Sequence, residues 1–226
     1  MSESVQRLRI TFGADGPLRY VSHLDLMRVW ERVCKRARLP LSQSRGFSPR
    51  PKIALAAPLA VGMTSECELL DLLLDRTVAV DDALTRLNAQ LTPGLTIYAV
   101  TQSQLKQPSL QSMLRAATYE VELSDPRPAD EWRAAIAQLL AAESIPWSHQ
   151  RGRETKEYDL RPLVLDLTLI RVVADRATLA MHLRNDERGA GRPEQVVRAL
   201  GAANEPDRIH RTALELAEPI KLKRSA

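Results

Sequence analysis

The chain has 226 residues, with a hydrophobic fraction of 44% and a charged fraction of 27%, a composition typical of a globular protein with a sizeable core. No stretch approaches the roughly 18–20 unbroken apolar residues of a membrane helix, and the N-terminus has no apolar signal region, so we expect a cytoplasmic protein with no membrane association. The net charge of +4 at pH 7 favours an acidic partner without distinguishing RNA from an acidic protein.

The first half of the chain alternates between strand and helix signals. A helix is predicted to begin at Ser22, a good N-cap with Asp25 three residues on, and to end before Pro40. A second helix is predicted over 80–91, where two aspartates lie at its positive end and Pro93 follows it. The predicted strands are 5–12, 41–44, 52–57, 67–74 and 95–101.

The second half repeats this order loosely. Helices are predicted over 129–143, where Pro128 and two acidic residues mark the start, and from Pro193 to just before Gly201. The predicted strands are 118–123, 145–149, 163–173, 178–183 and 209–216.

Each half therefore approximates the order β-α-β-β-α-β, in which two helices cover one face of a sheet. We expect an α+β protein made of two tandem ferredoxin-like halves with antiparallel sheets. The joint is expected in the polar stretch 103–111, which gives predicted domains of 1–104 and 112–220.

Positive charge is concentrated between residues 28 and 52. This segment has eight basic residues and one acid, Glu31, and so carries +7, which leaves −3 on the rest of the chain. On a helix, the first four cations lie within about one third of the circumference, opposite an apolar stripe that contains Trp30 and Cys34. The eight basic residues are Arg28, Arg32, Lys35, Arg36, Arg38, Arg45, Arg50 and Lys52.

The loop from Ser44 to Lys52 strengthens the interpretation of a polyanion-binding surface. Gly46 permits close approach of a ligand to the backbone, and two prolines favour an extended path. Phe47, between Arg45 and Arg50, is predicted to stack on a nucleic-acid base. The alternative is that Phe47 fills the core and that the prolines stiffen a hairpin.

Several short motifs resemble those of the radical SAM-linked protein family. The family is a domain of unknown function, often fused behind or encoded beside a radical SAM enzyme and, in many bacteria, near a ribonuclease of the RNase E/G type. The resemblance therefore implies a radical SAM protein as a partner. The motifs are Tyr20–Asp25, Ser44–Lys52, Pro58–Gly62, Ser65–Glu68, Asp159–Pro162 and Gly191–Glu194.

The chain cannot itself be the radical enzyme, because that chemistry needs three clustered cysteines and only Cys34 and Cys67 are present. Both are predicted to be core thiols. They also exclude a disulfide scaffold and a four-cysteine zinc site.

An enzymatic alternative depends on His23, which lies between Tyr20 and Asp25. His23 is a candidate general base for metal-free RNA cleavage, with arginine or lysine stabilising the phosphorane; a local structural role is the other interpretation. The four histidines, at 23, 149, 182 and 210, show no metal-ligand spacing. Three acids, Glu66, Glu68 and Asp71, are candidates either for Mg²⁺ or for ion pairs with arginines.

The sequence thus predicts a non-catalytic RNA-binding accessory protein that works with a radical SAM enzyme in RNA modification or processing. No cofactor or metal is expected. The alternatives are a metal-independent RNA-processing enzyme that uses His23, and a protein-docking module for the radical SAM partner. The predicted nucleic-acid contacts are Arg28, Arg32, Lys35, Arg36, Arg45, Phe47, Arg50 and Lys52.

Overall fold

A computed structural model of the chain describes residues 4–151 and 154–217. The last residues of the predicted second domain, 218–220, lie outside the described residues. The chain divides into an N-terminal unit, which extends to Leu114 and includes Leu216 and Ala217, and a C-terminal unit, Arg115–Glu215. The described residues form five α-helices and eleven strands, so the protein is of mixed α+β class.

The N-terminal unit contains a four-stranded antiparallel sheet and three helices. Its strands lie in the order β4-β1-β3-β2, because β3 pairs with both β1 and β2, and β1 pairs with β4. The elements are β1 (Gln6–Ala14), α1 (His23–Arg36), β2 (Ile53–Leu55), β3 (Thr64–Leu74), α2 (Val80–Asn88), β4 (Leu95–Ser103) and α3 (Leu110–Met113).

Helix α1 has the amphipathic character that the sequence predicts. The Ser22 hydroxyl accepts a hydrogen bond from the Asp25 N–H at 3.2 Å, which caps the first turn as expected. The apolar side of the helix is buried. The Trp30 ring lies edge-on to the Phe12 ring of β1, with centroids 4.8 Å apart and an angle of 71° between the planes. The opposite side of the helix is therefore free to carry charge.

A buried ion cluster joins β1 to β3. The Asp71 carboxylate accepts hydrogen bonds from the Arg7 Nε at 2.9 Å and the Arg9 Nε at 2.9 Å. Arg7 also donates to the backbone carbonyls of Gln107 at 2.6 Å and Pro108 at 3.0 Å. Asp71, which the sequence analysis considered either as a Mg²⁺ ligand or as an ion-pair partner of arginines, is thus an ion-pair partner of Arg7 and Arg9.

The C-terminal unit contains four main strands, two helices and a separate hairpin. Its main strands lie in the order β8-β9-β5-β11, with β10 also paired to β9 and β6 paired to β7. The elements are β5 (Leu114–Ser124), α4 (Ala129–Ala141), β6 (Pro146–Arg151), β7 (Glu154–Asp159), β8 (Val164–Val173), β9 (Arg176–Asp186), β10 (Gly189–Ala190), α5 (Pro193–Ala199) and β11 (Arg208–Leu216).

Two departures from the prediction have physical reasons. The segment predicted as a strand over 41–44 makes only isolated bridges, Leu41 to Leu74 and Gln43 to Pro51, because the prolines that flank it cannot donate to a sheet ladder. Strand β7 was not predicted. It is mostly polar, and it pairs only with β6 in a two-stranded hairpin, so it lacks the apolar alternation that marks a half-buried strand.

The two phenylalanines of the chain provide a matched test of this packing. Phe12 is completely buried and Phe47 is fully exposed. We expect Phe12→Ala to lower the free energy of unfolding by about 3–5 kcal/mol because it opens a cavity beneath Trp30. Phe47→Ala is expected to change it by less than about 0.5 kcal/mol. Urea denaturation measures both, and equal losses would contradict the assigned positions.

Candidate nucleic-acid interface

Three adjoining surface depressions form a groove on the N-terminal unit. They have volumes of about 500, 540 and 550 Å³. The first and second share Arg32 and Lys35, and the second and third share Arg36, Arg38 and Gln90. The groove begins at Gln43 and Pro51, passes the C-terminal half of α1, and ends against α2 at Thr85 and Arg86. We call it the basic groove.

The basic groove carries strong local positive charge. Its basic side chains are exposed. Five basic residues of the described part of the chain line the groove. Among the described residues, four of the five form no ion pair with a carboxylate, and the other one, Arg86, donates a hydrogen bond to the Asp82 carboxylate at 2.8 Å. Glu31 is the one acid that lines the groove. The four are Arg32, Lys35, Arg36 and Arg38.

The position of Arg38 follows from the way in which α1 ends. The Leu39 N–H donates to the Cys34 carbonyl at 3.1 Å, and the Arg38 N–H donates to the Lys35 carbonyl at 3.1 Å. This Schellman-type turn places Arg38 in the left-handed region, with a φ of 53°, where glycine is usually found. A side chain at such a position costs about 1–2 kcal/mol relative to a right-handed conformation. The residue therefore adds charge to the groove at a cost in backbone energy.

The loop from Ser44 to Arg50 is the tip of a short hairpin whose base adjoins the basic groove. The Ser44 N–H donates to the Arg50 carbonyl at 2.8 Å, and the Arg50 N–H donates to the Ser44 hydroxyl at 2.9 Å. Below this closure, Gln43 and Pro51 form a bridge and also line the groove. We call residues 44–50 the hairpin tip.

Phe47 lies at the hairpin tip and is fully exposed, so its interpretation as a residue that fills the core is wrong. Gly46, before it, has a φ of +136°, and a Cβ there would contact nothing within 4 Å, which means that glycine is needed for the backbone and not for space. Arg45 and Arg50 on either side are also exposed, and neither pairs with a carboxylate among the described residues. The tip therefore exposes one aromatic ring, flanked in sequence by two arginines that form no ion pair among the described residues.

Two of the predicted contacts lie in neither the basic groove nor the hairpin tip. Arg28, on the first half of α1, donates to the Asp25 carboxylate at 2.8 Å, and both side chains are exposed. This bond and one from the Ser22 hydroxyl lower the pKa of Asp25, with the Ser22 bond the larger cause. Lys52 is half-buried and its Nζ donates to the Ser4 hydroxyl at 3.3 Å. Arg28 is partly neutralised and Lys52 is partly withdrawn from solvent.

The candidate catalytic groups do not converge. His23 is the first residue of α1, outside the lining of the groove, and its Nδ1 is buried with no hydrogen-bond partner among the described residues. Burial raises the pKa of the Cys34 thiol to about 12, so this cysteine is a core residue as predicted and not a nucleophile; Cys67 is half-buried. No group of three or more possible metal ligands occurs within 4–151 and 154–217. The His149 side chain lies outside what the structure describes.

Four residues of the basic groove, Arg38, Thr85, Arg86 and Gln90, were not among the contacts predicted from the sequence. Arg38 was counted in the charge of the segment, but its turn geometry cannot be read from spacing. The groove wall from α2 depends on how α2 packs beside the end of α1, which is tertiary information. A non-glycine residue just after a helix end was the available signal for Arg38.

Comparisons with solved structures give only distant likenesses. The chain is 11% identical to a chain of the archaeal box H/ACA sRNP Nop10-Cbf5 complex, over 90% of this chain and 46% of that one, with a TM-score of 0.47. It is 11% identical to a chain of a Cbf5-Nop10-Gar1 complex, over 90% of this chain and 48% of that one, with a TM-score of 0.49. It is 10% identical to a chain of an H/ACA RNP bound to a substrate RNA containing 2'-deoxyuridine, over 89% of this chain and 46% of that one, with a TM-score of 0.44. The chain spans about half the length of these proteins, and the scores are too low to support an argument about function.

Every helix among the described residues is too short or too polar to cross a bilayer. No curated protein matches the chain. A family model described as "Uncharacterized protein conserved in bacteria (DUF2344)" matches residues 7–193. Since this match includes most of both units, the protein belongs to the DUF2344 family of uncharacterized bacterial proteins.

Proposed function

We propose that the protein binds RNA through the basic groove and the hairpin tip. The observation that carries the proposal is the row of four exposed cations, Arg32, Lys35, Arg36 and Arg38, which form no ion pair with a carboxylate among the described residues and lie along the three adjoining depressions of the basic groove. Like charges held this close repel one another, so a bound polyanion relieves a cost that the free protein bears.

The hairpin tip favours single-stranded RNA over an acidic protein as the ligand. An exposed phenylalanine between two arginines suits a base that stacks on the ring while the guanidinium groups contact the neighbouring phosphates. Arginine bonds phosphate oxygens through two parallel N–H groups, which lysine cannot do. An acidic protein would use the cations but has no comparable need for the exposed ring.

The pairing with a radical SAM enzyme is a proposal that rests on the resemblance of the sequence motifs. The chain would act as an accessory that holds RNA for such a partner. The radical chemistry would belong to the partner, because Cys34 is buried and two thiols are too few to hold an iron–sulfur cluster in this chain.

We also propose that each unit is ferredoxin-like. The main elements of the N-terminal unit follow the order β-α-β-β-α-β, with the strands arranged β4-β1-β3-β2. The C-terminal unit gives the same arrangement, β11-β5-β9-β8, once the β6–β7 hairpin and the short β10 are set aside as insertions. This strand order is what the split βαβ pattern produces.

Catalysis by His23 stays a prediction that no observed geometry favours. The imidazole is not among the groove residues, whereas a general base has to reach the bound phosphodiester either directly or through one water. The following experiment distinguishes RNA binding from a purely protein-docking role.

The test is a fluorescence-anisotropy titration of a labelled single-stranded RNA of about 20 nucleotides, long enough to cover the groove. We expect the combined variant Arg32→Gln, Lys35→Gln and Arg36→Gln to weaken binding at least about tenfold near physiological salt. The slope of log affinity against log salt should become shallower by about 2, since three phosphate contacts are lost at roughly 0.7 each for a single strand.

The matched control removes the same charge from exposed positions of the C-terminal unit, through Arg133→Gln, Arg171→Gln and Arg176→Gln. It should bind RNA nearly as the native chain does. Equal weakening in both triple variants would show that net charge alone attracts the RNA, and would contradict a defined groove. Absence of binding by the native chain at low salt would leave the docking role as the better explanation.

Arg38→Gly separates binding from stability. Glycine has no Cβ to clash at a φ of 53°, so we expect the free energy of unfolding to rise by about 0.5–1 kcal/mol, the relief of strain less the entropy cost of glycine. RNA affinity should nevertheless fall, because one groove cation is removed. The same titration and a urea denaturation measure the two effects, and unchanged affinity would exclude Arg38 from the interface.

A further inference from the structure

The C-terminal unit contains a large cavity that is separate from the basic groove and the hairpin tip. It has a volume of about 920 Å³, which is within the roughly 300–1,000 Å³ of small-molecule sites. Strand β7, the turn at Arg161–Leu163, the end of β9 and the segment 188–192 form its walls. We call it the C-terminal pocket.

The C-terminal pocket is strongly cationic. Among the residues that the structure describes, it is lined by four basic side chains, Lys156, Arg184, Arg188 and Arg192, and by one acid, Asp159. Arg184 donates to Asp186 at 3.0 Å. The other three basic residues are exposed and form no salt bridge among the described residues. Although burial would raise the pKa of the nearby Asp186 carboxyl, that pKa is lowered, and the charge of Arg188 helps to lower it.

The one acid of the lining is already engaged by the backbone. Asp159 accepts hydrogen bonds from the Ile145 N–H at 2.8 Å and the Arg161 N–H at 2.9 Å. The bond from Ile145 is the main reason that the pKa of Asp159 is lowered. Asp159 thus holds the turn in place and stays ionised, and it does not offset the three free cations by pairing with them.

The apolar part of the lining depends on two glycines. A Cβ on Gly189 would lie 2.9 Å from Leu163 Cδ2, and one on Gly191 would lie 2.8 Å from the Leu163 carbonyl oxygen. Glycine is needed at 191 because a Cβ would meet the Leu163 backbone, and at 189 chiefly because of its φ of +153°. Leu163 lines the pocket together with Pro162 and Ala190. Tyr158 adds an aromatic ring, and its hydroxyl donates to Gln195.

Two sequence motifs that the RNA proposal does not use meet in this pocket. Asp159–Pro162 supplies the turn with the engaged carboxylate, and Gly191–Glu194 supplies the close backbone approach and Arg192. The motifs are separated along the chain, and Arg184 of β9 joins them: its carbonyl accepts a hydrogen bond from the Gly191 N–H at 2.8 Å, and its Nε donates to the Pro162 carbonyl at 3.2 Å. Their meeting point gives both a role in one site.

We propose that the C-terminal pocket binds a small phosphorylated organic molecule of nucleotide size. Lys156, Arg188 and Arg192 hold the phosphate oxygens, and the apolar part lies on Tyr158 and Leu163. Clustered arginines suit phosphate, whose oxygens accept two parallel N–H bonds. Every residue involved belongs to the C-terminal unit, so the proposal stands or fails independently of the RNA proposal.

Isothermal titration calorimetry of the full chain tests the site by measuring the Kd of four probes. The probes are uridine 5′-monophosphate, adenosine 5′-triphosphate, inorganic pyrophosphate and uncharged uridine. We expect at least one nucleotide to bind with a Kd below about 1 mM, pyrophosphate to bind more weakly, and uridine not to bind. The double variant Arg188→Gln and Arg192→Gln should weaken nucleotide binding at least tenfold. The control Arg171→Gln with Arg176→Gln, also in the C-terminal unit, should leave it unchanged.

Three results would overturn the proposal: no binding of either nucleotide, equal weakening by the double variant and its control, or pyrophosphate binding as tight as the nucleotides. Since Arg192 precedes the first turn of α5, thermal melting checks that the double variant is folded. If it is not, Lys156→Gln on exposed β7 replaces it, with the same expected direction. Loss of nucleotide binding in the groove variant Arg32→Gln, Lys35→Gln and Arg36→Gln would assign the probes to the groove instead and would also overturn the proposal.

Discussion

The packing of α1 on the sheet through Trp30 and Phe12 is the contact on which the proposed function depends. With the two rings in edge-on contact at 4.8 Å, the helix has one rotational setting in which its apolar side is buried. The cations spaced along the other side then face solvent together. Where α1 ends, the left-handed turn at Arg38 extends the charge towards α2, and the hairpin base extends it towards Phe47. A cationic groove of the kind that the RNA proposal requires thus follows from burying one helix face.

Much of this arrangement could be predicted because it is local. The cap at Ser22, the apolar spacing of α1 and the run of like charge are all properties of neighbouring residues. The sequence left open whether Phe47 is exposed or buried, since an aromatic residue beside prolines is consistent with either. The ion cluster of Asp71 with Arg7 and Arg9 was foreseen only as an alternative to metal binding, because the pairing register of β1 and β3 decides it.

The parts that the sequence did not predict depend on contacts between distant segments. The wall that α2 contributes to the groove and the C-terminal pocket are formed by residues far apart along the chain. The pocket also needs β7, whose polar sequence does not show strand periodicity. The two sites differ in form, since the groove is a series of shallow depressions that suits a polymer, whereas the pocket is a single larger cavity that suits a small molecule.

The most direct test of the account is to locate the RNA on the protein by photocrosslinking. Native protein would be irradiated with a single-stranded RNA that contains 4-thiouridine and then cleaved after glutamate, since trypsin would cut the basic segment into very short pieces. Cleavage after Glu31 and Glu66 releases one peptide that holds the free groove cations and the hairpin tip. We expect this peptide to carry the crosslinks, clustered near Phe47. Crosslinks confined to peptides of the C-terminal unit would contradict it.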